Sequence, residues 1–295
     1  MIRNNIEVYT LIEAEIHKLR SVGIETANLD CRLLLSMSLK SSKTLYNHEI
    51  INITENEIKI FKNLIKKRLT GKPISRIINK RNFWKKEFKL NEETLDPRPD
   101  SETLIETVLT HFTDKFQSLK ILDLGSGSGC LGLSLLDEYH NSTVSFLDTS
   151  QKSLEIVKIN SFNFGLSDRS KLIHLDWRNE NWDIKLFEIE NETKFDILIS
   201  NPPYIPTFDI QNLQKEVKEY DPFVALNGGK DGLEAYKLII PKLSNIIKKK
   251  GKIFFEIGKG QENYVSSEAI EHGLTPIEFK KDLSGVNRVI VFIFK

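Results

Sequence analysis

Up to about residue 80, apolar positions recur near the helical period. Ile6, Tyr9, Leu11, Ile12, Ile16 and Leu19 form one series, and Gly23 supplies its stop. Leu29, Leu33, Leu34 and Met37 predict a second helix. A third is predicted from an N-cap at Thr54 through Ile58, Phe61, Leu64 and Ile65 to Leu69, ended by Gly71 and Pro73. No strand-type alternation interrupts this stretch, so residues 1–75 read as a small helical domain. Between Ile74 and Asp96 the pattern changes. Ile77-Ile78, Phe83-Trp84, Phe88 and Leu90 are separated by charged residues and Asn, which predicts a hairpin, and residues 76–96 read as a linker. Pro97 and Pro99 then punctuate the start of a helix carrying Leu104, Ile105 and Val108, with Asp100 or Ser101 as its N-cap.

From Ile121 onward strands and helices alternate. Strands are predicted at Ile121–Leu124, Thr143–Asp148, Lys171–Asp176, Phe195–Ser200 and Lys252–Ile257, with helices beginning near Cys130, Ser150 and Gly232. This alternation predicts a doubly wound, mostly parallel α/β sheet over residues 97–295. The last two apolar runs, Pro276–Phe279 and Arg288–Phe294, are separated by only eight residues. That gap is too short for a helical crossover, so they are expected to pair antiparallel.

Composition narrows the class without naming it. A length of 295 residues favours two domains, and 40% hydrophobic with 28% charged residues describes a soluble chain with a sizeable core. Cys31 and Cys130 show no C-x-x-C spacing, so neither a disulfide framework nor a zinc site is expected, which suits a reducing cytoplasm. The amino terminus lacks the apolar core of a signal peptide, and no run approaches the ~18 apolar residues of a membrane span. The net charge of +1 hides an asymmetry: residues 1–90 hold 18 Lys and Arg against 9 Asp and Glu, the remainder 24 against 32. A basic first part and an acidic second part suit different partners. Nucleic acid, or a partner bound near it, fits the first part; so do solvated lysine faces on helices.

The chemistry concentrates at strand ends. Ile121-Leu122-Asp123-Leu124 runs into Gly125-Ser126-Gly127-Ser128-Gly129, a turn in which glycines permit positive φ and close ligand approach. Gly127, Gly129 and Gly132 also satisfy G-x-G-x-x-G, a weak dinucleotide signal by itself. Asp148 ends the next strand, 23 positions after Gly125. That is close to the ~20-residue spacing at which an acid receives ribose hydroxyls; a partner for the start of the following helix is the other reading. Asp176-Trp177 offers an indole that could stack on a base or pack in the core, whereas Trp84 and Trp182 read as structural. Asn201-Pro202-Pro203-Tyr204 closes the Phe195–Ser200 run. The prolines stiffen the chain just beyond a strand, where open α/β sheets place ligands. The Asn201 amide and the Pro202 carbonyl are thereby free to grip an NH2 on a planar system, which the flat Tyr204 ring could cover.

These residues together resemble the HemK/PrmC family, the peptide chain release factor N(5)-glutamine methyltransferases. The glycine loop, Asp148, Asp176-Trp177 and Asn201–Tyr204 carry the resemblance. Arg98-Pro99-Asp100-Ser101-Glu102, Gly228-Gly229-Lys230-Asp231-Gly232, Glu256-Ile257-Gly258 and the segment Lys281–Val289 support it in the right order. The match runs from about residue 70 to the end; the first domain agrees mainly in size, position and Leu33-Leu34-Leu35. Asp96, Ser126, Ser128 and Arg178 depart from the commoner residues without removing a required group.

The resemblance implies a class I methyltransferase fold, S-adenosyl-L-methionine as methyl donor, and transfer to the glutamine of the GGQ loop of class-1 release factors. It assigns Asn201, Pro202 and Tyr204 to catalysis and Asn201 to Tyr204, with Pro203, to the substrate. Gly125, Ser126, Gly127, Ser128, Gly129, Asp148 and Trp177 fall to the cofactor, with Asn201 counted there too. A cytoplasmic monomer without stable nucleic-acid binding, membrane attachment or metal is expected. Three rival readings stand beside this one. An adenine-N(6) methyltransferase would use the same tetrapeptide on a flipped base, although the acidic second part opposes a phosphate-tracking groove. A binding protein that keeps the fold without catalysis is the second. A nicotinamide oxidoreductase is the third, and it leaves Asn201–Tyr204 without a role.

Overall fold

The computed structural model describes residues 3–41 and 43–295 and divides into two compact units, Met1–Asn79 and Lys80–Lys295. In the first unit, helices Val8–Ser21, Ala27–Ser38 and Glu55–Leu69 enclose a core of Val8, Ile12, Leu34, Phe61 and Ile65. Thr54 begins the third helix with a capping box: its hydroxyl accepts the Glu57 N–H while the Glu57 carboxylate accepts the Thr54 N–H. Arg68 and Asp30 form a buried ion pair at 2.7 Å.

Two expectations are corrected here. The first unit also contains a ribbon, β1 (Arg3–Glu7) paired antiparallel with β2 (Ile50–Thr54). Ile51 and Ile53 turn towards the core with Ile6, but the exposed Ile50 places an apolar residue on the outer face as well, so the short strand shows no clear period-2 alternation in the sequence. Leu29 and Met37 are exposed on the second helix, whose buried stripe runs through Ala27, Cys31, Leu34 and Leu35 instead.

The hairpin is likewise not a linker. Ile74–Ile78 is a short helix of the first unit, and the chain divides after Asn79. The strands β3 (Lys80–Phe83) and β4 (Lys86–Lys89) belong to the second unit. Phe83 and Phe88 join Leu104 and Val108 in one core, and the Lys89 N–H donates to Asn160 Oδ1 at 2.8 Å. The Trp84 indole N–H donates to Glu138.

The second unit is built on a seven-stranded sheet. Its strands are β5 (Lys120–Leu124), β6 (Thr143–Asp148), β7 (Ser170–His174), β8 (Phe195–Ser200), β9 (Ile247–Glu256), β10 (Leu274–Lys281) and β11 (Asn287–Phe294). They lie in the order β10-β11-β9-β8-β5-β6-β7, parallel except for the pairs made by β11. The central strands are apolar on both faces, as sheets covered by helices require. Leu122, Leu124, Leu198 and Phe255 face one core; Ile121, Ile197, Ile199 and Phe254 face the other. β7 stops at His174 because Asp176 enters a turn, its carboxylate accepting the Arg178 N–H. β9 starts at Ile247, earlier than the apolar run suggests, since Lys248, Lys249 and Lys250 carry no apolar signal.

The helix Cys130–Glu138 covers β5 and β6 closely. A Cβ on Gly132 would lie 2.5 Å from Phe146 and 2.8 Å from the Asp123 carboxylate, so any side chain here pushes the helix off the sheet. Gly132→Ala is therefore expected to cost about 1–3 kcal/mol by overpacking. Urea unfolding followed on the whole chain checks this, and an unchanged midpoint would contradict it.

Candidate active site

The chain leaves β5 towards β6 and leaves β8 towards β9, so the two neighbouring strands send their ends in opposite directions. Such a reversal opens a crevice at the carboxyl edge of a parallel sheet. A cleft of about 870 Å³, open to solvent, lies there. Its lining comes from the glycine loop after β5, Asp148 to Ser150 after β6, Trp177 after β7, and Asn201 and Pro203 after β8. Leu95, Pro97, Arg98 and Ser101 contribute from the stretch before the helix Glu102–His111, and Val224 and Ala225 from the helix Phe223–Leu226.

The glycine loop is held from one side by Asp148. One carboxylate oxygen accepts the Gly127 N–H and the other the Ser150 N–H, each at 2.8 Å. The Ser150 hydroxyl in turn caps the next helix by accepting the Ser153 N–H. Asp148 thus anchors loop and helix while lining the cleft. Burial raises its pKa, opposed by those backbone bonds. Gly125 has φ +81°, and a Cβ there would meet the Trp177 ring at 2.9 Å. The absent side chain lets the indole lie against the loop and wall the cleft.

Asn201 is held at the opposite wall. The Ser200 hydroxyl donates to the Leu124 carbonyl at 2.6 Å, tying the ends of β8 and β5 together. The Asn201 side-chain amide donates to Ser101 Oγ at 3.2 Å. The tetrapeptide is also gripped by two later segments. The Gln261 amide donates to the carbonyls of Tyr204 and Gly232, both at 3.0 Å, and the Gly228 N–H donates to the Ile205 carbonyl at 2.9 Å. Side chains at Gly228 and Gly232 would collide with the carbonyls of Pro203 and Tyr204. This explains the glycines of Gly228-Gly229-Lys230-Asp231-Gly232.

Beneath the tetrapeptide sits Glu256, at the end of β9 and fully buried. The Tyr204 hydroxyl donates to Glu256 Oε1 at 3.4 Å, and the Tyr236 hydroxyl donates to the Glu256 carbonyl at 2.7 Å. Burial pushes the Glu256 carboxyl up to about 7, against the opposing pull of the Ser101 hydroxyl, Arg288 and the Tyr204 hydroxyl. Burial, with the Glu256 charge beside it, raises the Tyr204 hydroxyl as well. Arg288 is fixed by Asp282, with Nε at 3.0 Å and a terminal nitrogen at 2.9 Å, and lies 3.6 Å from Asp100. Arg98 pairs with Asp221, joining the stretch before the helix Glu102–His111 to the segment that leads into the helix Phe223–Leu226.

Of the residues singled out in the sequence, Gly125, Ser126, Gly127, Ser128, Asp148, Trp177, Asn201 and Pro203 share the cleft. Gly129 lies off it, against Val157 and Leu133 at the helix start. Pro202 is buried, and the Tyr204 ring packs on the core below, so neither lines the cleft. Ser101 makes no capping bond and instead faces Asn201. Val224 and Ala225 carried no sequence signal, whereas Arg98 and Glu256 lay within segments that supported the resemblance without being given a role at the site. The lining suits an amphipathic nucleoside donor: a fixed carboxylate for hydroxyls, an indole face for a flat ring, and apolar contacts from Leu131, Pro97 and Val224. Among the described residues no His/Cys/Asp/Glu group could hold a metal, and no helix is long and apolar enough to cross a membrane.

Known proteins match both units. The PrmC N-terminal domain family matches residues 11–78, and the Methyltransferase small domain family matches residues 97–217. A release factor glutamine methyltransferase of Bradyrhizobium diazoefficiens is 35% identical over 280 residues, covering 92% of this chain and 90% of that protein. One of Caulobacter vibrioides is 32% identical, covering 93% and 92%. A bifunctional methyltransferase of Rickettsia conorii is 34% identical over 93% of this chain but only 55% of its own length. The chain spans about half the length of the bifunctional relatives it matches.

Asp123 offers a test of the buried electrostatics. It is fully buried, accepts the Gly132 N–H at 2.9 Å through one oxygen, and has no partner on the other. Burial, with a smaller push from Asp148, raises it to about 7 against the Gly132 bond. Between about pH 4 and 7 the folded state therefore holds a proton that the unfolded state has lost, and stability falls as pH rises. Relative to Asp123→Asn, the wild type should lose stability across that window and no further above it. Thermal unfolding of both proteins from pH 4 to 9 checks this, and a pH-independent difference would refute it.

Proposed function

The chain belongs to the release factor glutamine methyltransferase family, and from that premise we propose its reaction. It transfers a methyl group from S-adenosyl-L-methionine to the side-chain amide nitrogen of the glutamine in the GGQ loop of class-1 peptide chain release factors. The observation that carries this reading is the placement of Asn201 at the cleft wall opposite Asp148 and Trp177. The methyl donor, when bound, supplies an electrophilic methyl on a sulfonium. Asp148 would accept its ribose hydroxyls, Trp177 would cover its adenine, and the loop Gly125–Gly129 would let it approach the backbone.

An amide nitrogen is a weak nucleophile because its lone pair is delocalised into the carbonyl. The work left to this chain is orientation. Asn201 Oδ1 at the cleft wall accepts one N–H and the carbonyl of Pro202, whose ring is buried behind that wall, accepts the other, holding the nitrogen towards the donor and its amide plane fixed. The same acceptors stabilise positive charge as it grows on nitrogen. No side-chain base is required, since the proton becomes acidic only once the methyl is in place. Tyr204 supports this geometry from below, through its packing and its bond to Glu256. Pro203, at the cleft, limits the shape of what enters. The protein is proposed to act in the cytoplasm as a monomer, with release factor as its partner and no stable nucleic-acid complex.

Two variants separate the roles. Asn201→Ala is expected to lower turnover by ~10²–10³ while S-adenosyl-L-methionine binding holds in calorimetry. Trp177→Ala is expected to weaken that binding by about 1–3 kcal/mol, the scale of a base stacked on an aromatic ring. The substrate is tested with labelled S-adenosyl-L-methionine and release factor, wild type and with the GGQ glutamine changed to alanine. Equal labelling of the two would overturn the assignment.

A further inference from the structure

Residues 206–226 leave the sheet after the tetrapeptide and end in the helix Phe223–Leu226, which brings Val224 and Ala225 to the cleft. The segment is closed at its base. The Ile205 N–H donates to the Leu226 carbonyl at 3.1 Å, the Gly228 N–H to the Ile205 carbonyl at 2.9 Å, and the Thr207 N–H to the Gly229 carbonyl at 2.8 Å. Above that base few of its side chains are buried. Ile210, Asp221 and Leu226 are the only buried residues of 206–226, while Phe208, Phe223 and Val224 are exposed. A buried carboxylate in a segment otherwise open to solvent is costly unless it is paired and hydrogen-bonded.

Asp221 is both. One carboxylate oxygen takes the Arg98 guanidinium, and the other accepts the Asp96 N–H at 3.4 Å. The Asp221 side chain is 3% exposed and that of Arg98 33%, so water screens the pair less than it would a surface pair. Both partners belong to the stretch that leads into the helix Glu102–His111, where Pro97 and Arg98 line the cleft. Asp221 itself does not line it. Pro222 follows directly, its ring holding its own φ at −61° and restricting the backbone of Asp221. The Ala225 N–H then donates to the Pro222 carbonyl at 3.0 Å. A short, stiff link thus joins the anchored carboxylate to Val224 and Ala225.

We propose that Asp221 is a positioning residue: by tying residues 206–226 to Asp96 and Arg98, it sets Val224 and Ala225 as an apolar wall of the donor cleft. A segment with few buried side chains opens locally at little cost in free energy. A wall that opens admits water and gives up its contact with the bound donor. The consequence for binding rests on S-adenosyl-L-methionine as that donor, but the tether itself belongs to the free protein.

Two measurements on the full chain test it. In the first, hydrogen exchange is followed by mass spectrometry on the unliganded protein. Amides of residues 206–226 should exchange several-fold faster in Asp221→Ala than in the wild type, with residues 125–129 unchanged. Equal exchange overturns the proposal, whatever donor the protein takes, and so does an acceleration spread evenly over the second unit. In the second, calorimetry should show Asp221→Ala binding S-adenosyl-L-methionine about tenfold more weakly, the scale of one lost apolar side-chain contact. Val224→Ala should weaken binding by itself but add nothing in the Asp221→Ala background, because the wall has already moved. Additive effects of the two substitutions overturn the proposal. So does an unchanged affinity in Asp221→Ala beside a wild type that binds. A wild type that does not bind S-adenosyl-L-methionine instead removes the donor assignment, and the exchange measurement still decides the tether. Should Asp221→Ala not fold, Asp221→Asn, which keeps the shape and an acceptor oxygen but loses the charge, carries both tests with smaller shifts in the same direction.

Discussion

The site depends on two parallel strands that lie side by side and send the chain away in opposite directions. Residues after β5 turn under the helix Cys130–Glu138, while residues after β8 turn towards the helix Phe223–Leu226. The crevice between them is a consequence of connectivity. The Ser200 hydroxyl bound to the Leu124 carbonyl keeps the two strand ends from separating. The glycine loop and Asn201 therefore face one another across a fixed gap, and the rest of the site is a means of keeping each wall still. Asp148 does this for the loop, through bonds to Gly127 and Ser150. Gln261 and the glycines at 228 and 232 do it for the tetrapeptide.

The sheet was legible because its strands are buried on both faces. Unbroken runs such as Phe195–Ser200 have few other places to go, and both that strand and Thr143–Asp148 end where their apolar runs end. The glycine loop and the tetrapeptide were legible for a different reason: each packs its chemistry into neighbouring residues, so spacing alone displays it. What escaped was everything assembled from distant positions. Ser101 looks like a helix cap next to Pro99, and only the fold brings it to Asn201, a hundred positions away. Glu256 looks like a polar residue at the end of a strand, and nothing local says that it is sealed beneath Tyr204. The flat ring of Tyr204 suggests a cover for a planar group, yet it packs against the core cluster that includes Leu198, Phe255 and Tyr236, with its hydroxyl on Glu256. The hairpin misled for a related reason. Its short charged strands resemble a linker until Phe83 and Phe88 are seen packed with Leu104.

Two buried carboxylates show how much of this protein is organised around holding its site. Asp123 and Glu256 sit on strands β5 and β9, and burial raises each to about 7. Neither lines the cleft. A buried carboxylate is costly, and an apolar residue of similar volume would commonly be as stable. What an apolar residue could not do is accept. Asp123 accepts the Gly132 N–H and so sets the helix that follows the glycine loop. Glu256 accepts the Tyr204 hydroxyl and attracts Ser101 and Arg288, gathering the groups under the tetrapeptide. One carboxylate thus braces the glycine-loop wall of the cleft and the other the tetrapeptide wall. A reaction that asks the enzyme for orientation before anything else needs walls that do not yield, and acceptors buried behind both walls supply that stiffness where apolar packing alone would leave the polar groups of the site free to turn.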